Sequence, residues 1–196
     1  MLNKQAKTLS DTQIKAVLKY LEGTRNGLRN RVMFMLSLHG LRAKEIASLE
    51  VSMILDSDSK LSSAIQLQNK ASKGSSGRVV PMNKLLLSLL DEYLAQRNSA
   101  SNFLIVTERA ERFSANAVAV FFKRFYTKLG FIGCSSHSGR RTFVTVCAKK
   151  ISQAGGSLRD VMQLAGHRHL QTTQRYIDQD ADAQRKVVLD LYSVRG

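Results

Sequence analysis

The hydrophobic pattern of this chain changes its period over residues 64–81, and helical patterns flank that stretch on both sides. Residues 64–68 alternate between apolar and polar side chains, and residues 78–81 form a β-branched run that ends in Pro81, the only proline. The segment between them is polar and rich in glycine. The pattern predicts a β-hairpin or a small meander, and Pro81 favours a sheet edge because proline has no N–H to donate.

The flanking stretches carry apolar residues at helical spacing. Ser10 and Gln13 have the spacing of a capping box, which predicts a first helix to about Leu21 that Gly23 and Gly27 then break. The fold class is therefore mainly α with a small antiparallel β-sheet, an α+β arrangement. Further helices are predicted over residues 29–39, 43–49, 83–96, 114–129, 137–151, 157–164, 170–177 and 182–192.

A single domain accounts for the whole chain of 196 residues. Its hydrophobic fraction of 43% suffices for a core. The longest candidate linker, residues 152–156, is too short to separate two domains. We therefore predict one domain over residues 1–196, whose last part, residues 181–196, forms an amphipathic tail.

Basic side chains outnumber acidic ones, with 30 Lys and Arg against 15 Asp and Glu, so the formal charge is +15. Such an excess is typical of surfaces that bind polyanions, most often nucleic acid. An ordinary basic protein, such as a ribosomal one, carries the same signature. Charge therefore indicates a class of partner and leaves the activity open.

Other features of the sequence limit the compartment. No apolar run is long enough to cross a membrane, and the N-terminal residues contain no apolar signal core. Cys134 and Cys147 lack the spacing of a metal site, and two cysteines do not make a disulfide scaffold. These observations predict a reducing compartment and no membrane partner, and the simplest placement is the cytoplasm of a prokaryote, near its DNA.

Two arginines, two histidines and a late tyrosine follow one another in an order that suits attack on a DNA phosphodiester. Arg42 begins a predicted helix, His137 and Arg140 are three residues apart, and Tyr176 follows His167 by nine positions. Attack by a phenol oxygen needs cationic donors around the non-bridging oxygens and a proton for the leaving oxygen. An arginine fork binds two phosphate oxygens at once and stays charged, so two arginines from separate helices are candidates to clamp one phosphate.

Each of these features also has an ordinary structural interpretation. Arg42 with Glu45 is the pattern of a helix cap joined to an i,i+3 ion pair. His137 and Arg140 share a face of their predicted helix, where most such pairs are exposed to solvent. Gly166 fits a helix C-cap, and a tyrosine on a short helix usually contributes packing. The order and spacing of the whole set, more than any one motif, support the functional prediction.

With these motifs the chain resembles the catalytic domain of the tyrosine recombinases, also called the phage integrase family, from about residue 9 to residue 178. The family pattern combines a helix-start Gly-Leu-Arg-x-x-Glu, a hairpin lysine before an Arg-x-Val-Pro strand, and a His-x-x-Arg pair. A Leu-x-Gly-His box and a Thr-Thr-x-x-Tyr box follow. The residues of this chain at the matching positions are Arg42, Glu45, Lys73, His137, Arg140, His167 and Tyr176.

The resemblance implies that Tyr176 attacks DNA and forms a 3′-phosphotyrosyl bond. It implies that Arg42, Arg140 and His167 hold and neutralise the phosphate. The phenol, whose pKa is ordinarily near 10, needs cationic neighbours to act as a nucleophile. The family chemistry requires no metal and no cofactor, because the covalent bond stores the energy of the cleaved strand.

The remaining roles are also implied by the resemblance. His137 assists proton transfer from the nucleophile, and Glu45 supports the site without performing chemistry. Lys73 protonates the leaving 5′-oxygen. Lys70, three residues earlier on the same loop, is its rival, and the register of the Arg78-Val79-Val80-Pro81 strand favours Lys73.

The chain departs from the family pattern at three places. Gly139 stands where a larger apolar residue is usual, and Ala165 stands where leucine or glycine is commoner. The larger departure is at the N-terminus, where most members carry a helical core-binding domain. We therefore expect either a fragment or a protein similar to the short members, which include the fimbrial phase-variation inversion recombinases.

The resemblance implies a site-specific recombinase that acts on double-stranded DNA as a tetramer assembled on two sites, with a monomer as the free form. Accessory DNA-bending proteins are further candidate partners. The tail is expected to dock into a neighbouring protomer, with folding back onto its own domain as the alternative. Integration, excision, inversion and dimer resolution stay open as outcomes.

The sequence is also compatible with two other functions. A type IB topoisomerase shares the chemistry and relaxes supercoils without a second site, and an accessory protein binds DNA without cutting it. The Leu-x-Gly-His and Thr-Thr-x-x-Tyr boxes favour the recombinase, and the complete set of site residues argues against a protein that has lost cleavage. Should Tyr176 not be the nucleophile, Tyr126 and Tyr192 are the next candidates.

Overall fold

Helix α2 (Gly27–Leu38) lies at the centre of the structure, a computed structural model that describes residues 5–68 and 77–176. Its side chains are buried around much of its circumference, and Val32 and Phe34 are fully enclosed. A helix that is apolar on most sides is stable only inside a core. The remaining elements therefore pack around α2. Those with the most extensive contacts to it are α1 (Asp11–Glu22), α3 (Ala43–Ala47), α4 (Lys84–Gln96) and α6 (Ser138–Lys150).

Polar residues before several helices fix where each helix begins. The Ser10 side chain accepts from the Gln13 amide and the Gln13 side chain accepts from the Ser10 amide, so the predicted capping box is present at α1. Asn83 caps α4 and Ser114 caps α5 (Ala115–Lys128) by accepting a backbone N–H with the side-chain oxygen.

The sheet of the described residues has two antiparallel strands, β1 (Ala64–Leu67) and β2 (Arg78–Pro81). Leu67 lies opposite Arg78. Ile65 and Val80 face each other on the buried side, while Val79 is exposed on the other side. The alternation that predicted the strands therefore sets which face covers the core.

The last described elements form a smaller unit beside the main core. They are α6, α7 (Leu158–Ala165) and α8 (Leu170–Gln174). Val144, Val161 and Ala165 form a separate buried cluster, and the ring of Tyr176 packs against it. The predicted nucleophile therefore lies on this smaller cluster, next to the main core.

The predicted fold class is confirmed, and two details of the helix predictions are wrong. Gly27 was expected to break a helix, yet it is the first residue of α2, because Asn26 before it adopts a left-handed conformation with φ of 61°. Helix α8 ends at Gln174, so Tyr176 lies in a turn beyond its end and not on the helix. The tip of the predicted hairpin lies outside the described residues, and so does the whole helix predicted over residues 182–192.

The helices over residues 5–68 and 77–176 include none with the length and apolar character that crossing a membrane requires.

Candidate active site

Arg42 lies immediately before α3, where the chain is still extended. Glu45, three residues later, accepts from the Arg42 backbone N–H at 2.7 Å and from Arg42 Nη1 at 2.9 Å. The ordinary interpretation of this motif, a cap with an ion pair, is therefore present in the structure. The cap also fixes where the Arg42 guanidinium points, because the same carboxylate holds both its backbone and its fork.

Arg140 extends from the first turn of α6 and is buried. Its Nη2 donates to the Ala165 carbonyl at 2.6 Å, and its Nη1 donates to the Gly40 carbonyl. Arg140 can reach these carbonyls because residue 139 is a glycine and α6 lies close to α2. A Cβ at residue 139 would lie 2.3 Å from Ser37 Oγ on α2. The glycine departure from the family pattern is thus a close helix–helix contact. Each terminal nitrogen of Arg140 retains a second N–H for a ligand.

A turn after α7 joins the two arginines. Gly166, with φ of 62°, ends the helix in the left-handed conformation that glycine adopts at low cost. The Ala165 carbonyl accepts from Arg140, and the next carbonyl, that of Gly166, accepts from Arg42 Nη2 at 3.2 Å. Two guanidinium groups from separate helices therefore meet at consecutive carbonyls, as a phosphate clamp requires.

His167 follows that turn directly. Its Nδ1 lies 2.9 Å from Thr173 Oγ1, a side chain that is fully buried on α8. The imidazole is stacked on the ring of Tyr176, with centroids 5.4 Å apart and an angle of 22° between the planes. The Thr173 contact involves Nδ1 and not Nε2 of His167. The stacking places the imidazole beside the phenol of Tyr176.

Tyr176 is held by its backbone and by its ring. Its N–H donates to the Thr173 carbonyl at 3.0 Å, and its own carbonyl accepts from Thr145 Oγ1 at 3.1 Å. The side chain is half-buried and lines a cleft of about 420 Å³ together with Arg140 and His137. The phenol is therefore accessible and next to one of the two arginines.

His137 is at the edge of the site. It is the residue before α6, and its side chain is exposed, whereas Arg140 is buried. The two side chains differ in how far they are exposed. They line the same cleft from different depths.

The N-terminal segment forms another wall of this cleft. Gln5 and Ala6 line it beside Tyr176. The segment is held in place because Lys7 N donates to the Gly133 carbonyl at 3.0 Å and Leu9 N donates to Thr142 Oγ1 at 2.8 Å. These wall residues had no signal in the sequence, since their proximity depends on contacts between distant parts of the chain.

Charge and burial set the ionisation of the site. Burial raises the pKa of Glu45, but the hydrogen bonds and charges of Arg78 and Arg42 outweigh it and bring the pKa to about 2. Burial, followed by the charge of Arg42, lowers the pKa of Arg140 to about 10. Both groups are therefore charged at neutral pH.

His167 behaves differently. Burial lowers its pKa, and the charges of Arg140, Arg42 and Arg78 lower it further, to about 4. The imidazole is therefore neutral at neutral pH when no anion is bound. In that form one ring nitrogen can donate a hydrogen bond, and the ring contributes no positive charge.

Arg78 is a site residue that the sequence reasoning used only to set the hairpin register. It begins β2, and its Nη1 and Nη2 donate to the two oxygens of Glu45 at 2.8 and 2.9 Å. Its sequence signal was its place in the Arg-x-Val-Pro strand motif, which gave it no contact in the site. Its partner lies 33 residues away and cannot be read from local spacing.

The structure brings together Arg42, Glu45, Arg140, His167 and Tyr176, with His137 at the edge. Lys73 and its rival Lys70 lie outside the described residues, so the prediction of a lysine general acid stays a prediction. Tyr126, the first alternative nucleophile, is fully buried against Phe122 and Phe125, and burial raises the pKa of its phenol far above the ordinary value. Tyr192 lies outside the described residues.

The two remaining histidines are His39 and His169. His39 is buried, with Nδ1 2.8 Å from the Met35 carbonyl and Nε2 accepting from the Asn83 N–H, so it is a structural residue. His169 is exposed. Within residues 5–68 and 77–176, no group of three His, Cys, Asp or Glu side chains is placed to hold a metal ion.

Comparison with known proteins identifies the family of this chain. The sequence profile of the phage integrase family matches residues 7–183. The chain belongs to the phage integrase family. Tyrosine recombinase XerA of Thermococcus onnurineus is 31% identical over 184 residues, which cover 92% of this chain and 61% of the relative. Tyrosine recombinase XerD of Rickettsia prowazekii is 28% identical over 201 residues, covering 95% and 63%. The chain thus spans about three fifths of the length of these curated relatives.

Solved structures share the fold. A crystal structure of XerA recombinase matches with a TM-score of 0.73 at 23% identity, covering 96% of this chain and 66% of that one. The Tn1549 transposon integrase in complex with transposon right end DNA matches with a TM-score of 0.75 at 21% identity, covering 97% and 67%.

Proposed function

We propose that this protein is a metal-independent, tyrosine-type site-specific DNA recombinase. The observation that carries the proposal is the meeting of Arg42 and Arg140 at the consecutive carbonyls of Ala165 and Gly166, beside the stacked pair of His167 and Tyr176. Two cationic forks and an accessible phenol at one place are what in-line attack on a phosphodiester needs.

The reaction proceeds by exchange of one phosphoester for another. The Tyr176 oxygen forms a bond to phosphorus while the bond from phosphorus to the 5′-oxygen breaks, which leaves a 3′-phosphotyrosyl protein and a free 5′-hydroxyl. The phenol proton departs with the help of His137, and Lys73 supplies a proton to the leaving oxygen. A 5′-hydroxyl from a second strand then attacks the phosphotyrosine and restores the phenol.

The charge at the reacting phosphate is balanced by the protein. Arg42 and Arg140 stabilise the non-bridging oxygens as the transition state forms. The neutral His167 donates a hydrogen bond to the same group. The bound phosphate, being negative, raises the pKa of His167 and strengthens this contact.

Double-stranded DNA is the proposed substrate, and the formal charge of +15 supports it. Relatives with the same fold are recorded with DNA, including XerH bound to its difH substrate and the Tn1549 integrase with transposon end DNA. We further propose a tetramer on two DNA sites, linked by docking of the tail over residues 181–196 into a neighbouring protomer. Accessory DNA-bending proteins are proposed partners of that assembly, and a prokaryotic cytoplasm is its proposed location.

A selection followed by strand exchange tests this function. Nicked duplexes with randomised sequence are incubated with the protein, and DNA that stays attached after denaturation is recovered and sequenced. Two differently labelled duplexes that carry the selected sequence are then mixed with the protein. We expect recombinant strands that carry both labels, and neither adduct nor recombinant with Tyr176→Phe.

Each other outcome has a distinct meaning. Adducts without recombinant strands would replace the recombinase with topoisomerase-like cleavage. DNA binding without adducts from any duplex of the library would contradict the cutting function and leave a binding protein.

A further inference from the structure

Arg78 directs its side chain into the site although it begins an edge strand. Its side chain is only 8% exposed, and its two terminal nitrogens bond the two oxygens of Glu45. Paired bonds of this kind fix the relative orientation of both planes, which a single lysine bond does not. Arg78 therefore sets the orientation of the Glu45 carboxylate.

The same carboxylate holds Arg42 from its other side. Glu45 accepts from the backbone and from Nη1 of Arg42, and the side chain of Arg42 is 40% exposed while that of Glu45 is 12% exposed. Glu45 thus joins a buried arginine to a half-exposed one. An exposed guanidinium without such support samples several rotamers.

A second contact connects Arg78 to Arg42. A Cβ placed on Gly166 would lie 2.8 Å from Arg78 Nη1 and 3.1 Å from its Cδ, so the Arg78 side chain packs directly on that turn. The Gly166 carbonyl is the acceptor for Arg42 Nη2. Arg78 therefore touches both Glu45 and Gly166, the two residues that bond the Arg42 side chain.

Arg78 lies apart from the nucleophile. It lines a cleft with Gly166 and His167, whereas Tyr176 and Arg140 line a different cleft. We propose that Arg78 is a positioning residue: it orients Arg42 toward the phosphate through Glu45 and the Gly166 turn, without binding the phosphate itself. The inference rests on the proposed function, because the phosphate is that of the cleavage reaction.

A charge-conserving substitution with a matched control tests the inference. Arg78→Lys keeps the charge and loses the paired bonds. Arg97→Lys is the control, because Arg97 donates to the carbonyls of Ser99, Ser101 and Phe103, away from the site. On a nicked duplex selected by the wild-type protein, we expect Arg78→Lys to slow single-turnover adduct formation at least about tenfold. The affinity for the duplex should stay close to wild type, and Arg97→Lys should cleave normally.

A double-substitution cycle separates positioning of Arg42 from an independent role. If Arg78 acts through Arg42, adding Arg78→Lys to Arg42→Ala slows cleavage no further. Multiplicative loss of rate in the double variant would overturn the inference, as would wild-type cleavage by Arg78→Lys. Should Arg78→Lys melt at a much lower temperature than wild type, the cycle is repeated with Arg78→Gln, which also loses the paired bonds to Glu45 but leaves the bonds between Glu45 and Arg42 in place, and the same result is expected.

A measurement without DNA keeps the inference testable if the proposed function fails. The nitrogen-15 relaxation of the Arg42 side chain reports how well the guanidinium is ordered. We expect that order to fall in Arg78→Lys and to stay unchanged in Arg97→Lys. Unchanged order in Arg78→Lys would overturn the inference. Failure of the wild-type protein to form any adduct would overturn the proposed function, and the relaxation comparison would still decide whether Arg78 orders Arg42.

Discussion

At the scale of single residues, Glu45 and His167 show how the arginines set the ionisation of their neighbours. The pKa of Glu45 is brought to about 2 by Arg78 and Arg42 against the effect of burial, so its carboxylate stays ionised at neutral pH. His167 experiences burial and the same positive charges, and its pKa falls to about 4. One group is thus held charged and the other neutral, and a bound anion would raise the pKa of His167.

The lowered pKa of His167 predicts a pH-dependent loss of stability. Its pKa is about 4 in the folded protein against an ordinary value of 6.5, so between these values the unfolded chain binds a proton that the folded protein does not. The stability due to the neutral imidazole is therefore fully present above pH 6.5 and is lost as the pH falls toward 4. Urea unfolding at about pH 7.5 and about pH 5 should show a larger loss for wild type than for His167→Asn.

The control for this measurement is His169→Asn, which changes an exposed histidine two positions away. It should lose as much stability as the wild type over the same range. An equal loss in wild type and His167→Asn would show that His167 is not held neutral.

At the scale of elements, the contact of α2 with α6 decides where Arg140 lies. Gly139 sits against Ser37 of α2, and Gly40, just after α2, has φ of 83° and packs against Phe143 of α6. The absence of side chains at these two positions lets the helices approach closely. Arg140 can then reach the Gly40 carbonyl from α6.

Gly139→Ala is expected to destabilise the protein by about 1–3 kcal/mol, because overpacking a close helix contact forces the neighbours to shift. The new Cβ would lie 2.3 Å from Ser37 Oγ and 2.9 Å from Ser37 Cβ. Urea unfolding measures the loss, and Ser37→Gly in the same chain should restore part of it. Gly23→Ala is the matched control, since its Cβ would meet only the Tyr20 carbonyl at 3.9 Å. Equal stability of the two alanine variants would contradict the close contact.

The elements were predictable where their signals are local. The Ser10 capping box, the alternation over residues 64–68 and the helix starts predicted near residues 83 and 114 depend on neighbours within a few positions, and the structure has each element there. Gly27 was predicted wrongly, because whether a glycine ends one helix or begins the next depends on packing. A Cβ there would lie 2.5 Å from the Glu22 carbonyl, which only the folded chain reveals.

The candidate site was predictable for residues to which the family pattern gives a role and hidden for residues that join it through distant contacts. Arg42, Arg140, His167 and Tyr176 were identified by type and order, and the structure brings them together. Arg78 and Gln5 joined the site through contacts that span large parts of the sequence. Such contacts leave no periodicity or local spacing to read.

At the scale of the whole molecule, the formal charge of +15 suits the proposed DNA substrate. Most contacts of a DNA-binding protein reach the sugar–phosphate backbone, which carries the same charge for every sequence. The charge therefore supports strong binding with little sequence preference, and selectivity for a site comes mainly from other contacts.

DNA affinity should fall steeply with salt. Each neutralised phosphate releases condensed counterions, so the logarithm of affinity decreases linearly with the logarithm of salt concentration, by about 0.9 per phosphate contacted. Titration of a labelled duplex at several salt concentrations measures this slope. A duplex of the same length and unrelated sequence is the comparison. A flat dependence on salt would show that DNA is not the partner of the basic surface.

The central claim is that Tyr176 carries the DNA, and peptide mapping of the covalent adduct tests it most directly. The wild-type protein is trapped on a selected nicked duplex, digested with nuclease and trypsin, and the modified peptide is sequenced by mass spectrometry. Arg175 and Arg185 bound the tryptic peptide that begins at Tyr176. The nucleotide should be found on the tyrosine of that peptide and be absent when Tyr176→Phe is used. A nucleotide on any other residue of the wild-type protein, or an adduct formed by Tyr176→Phe, would contradict the assignment.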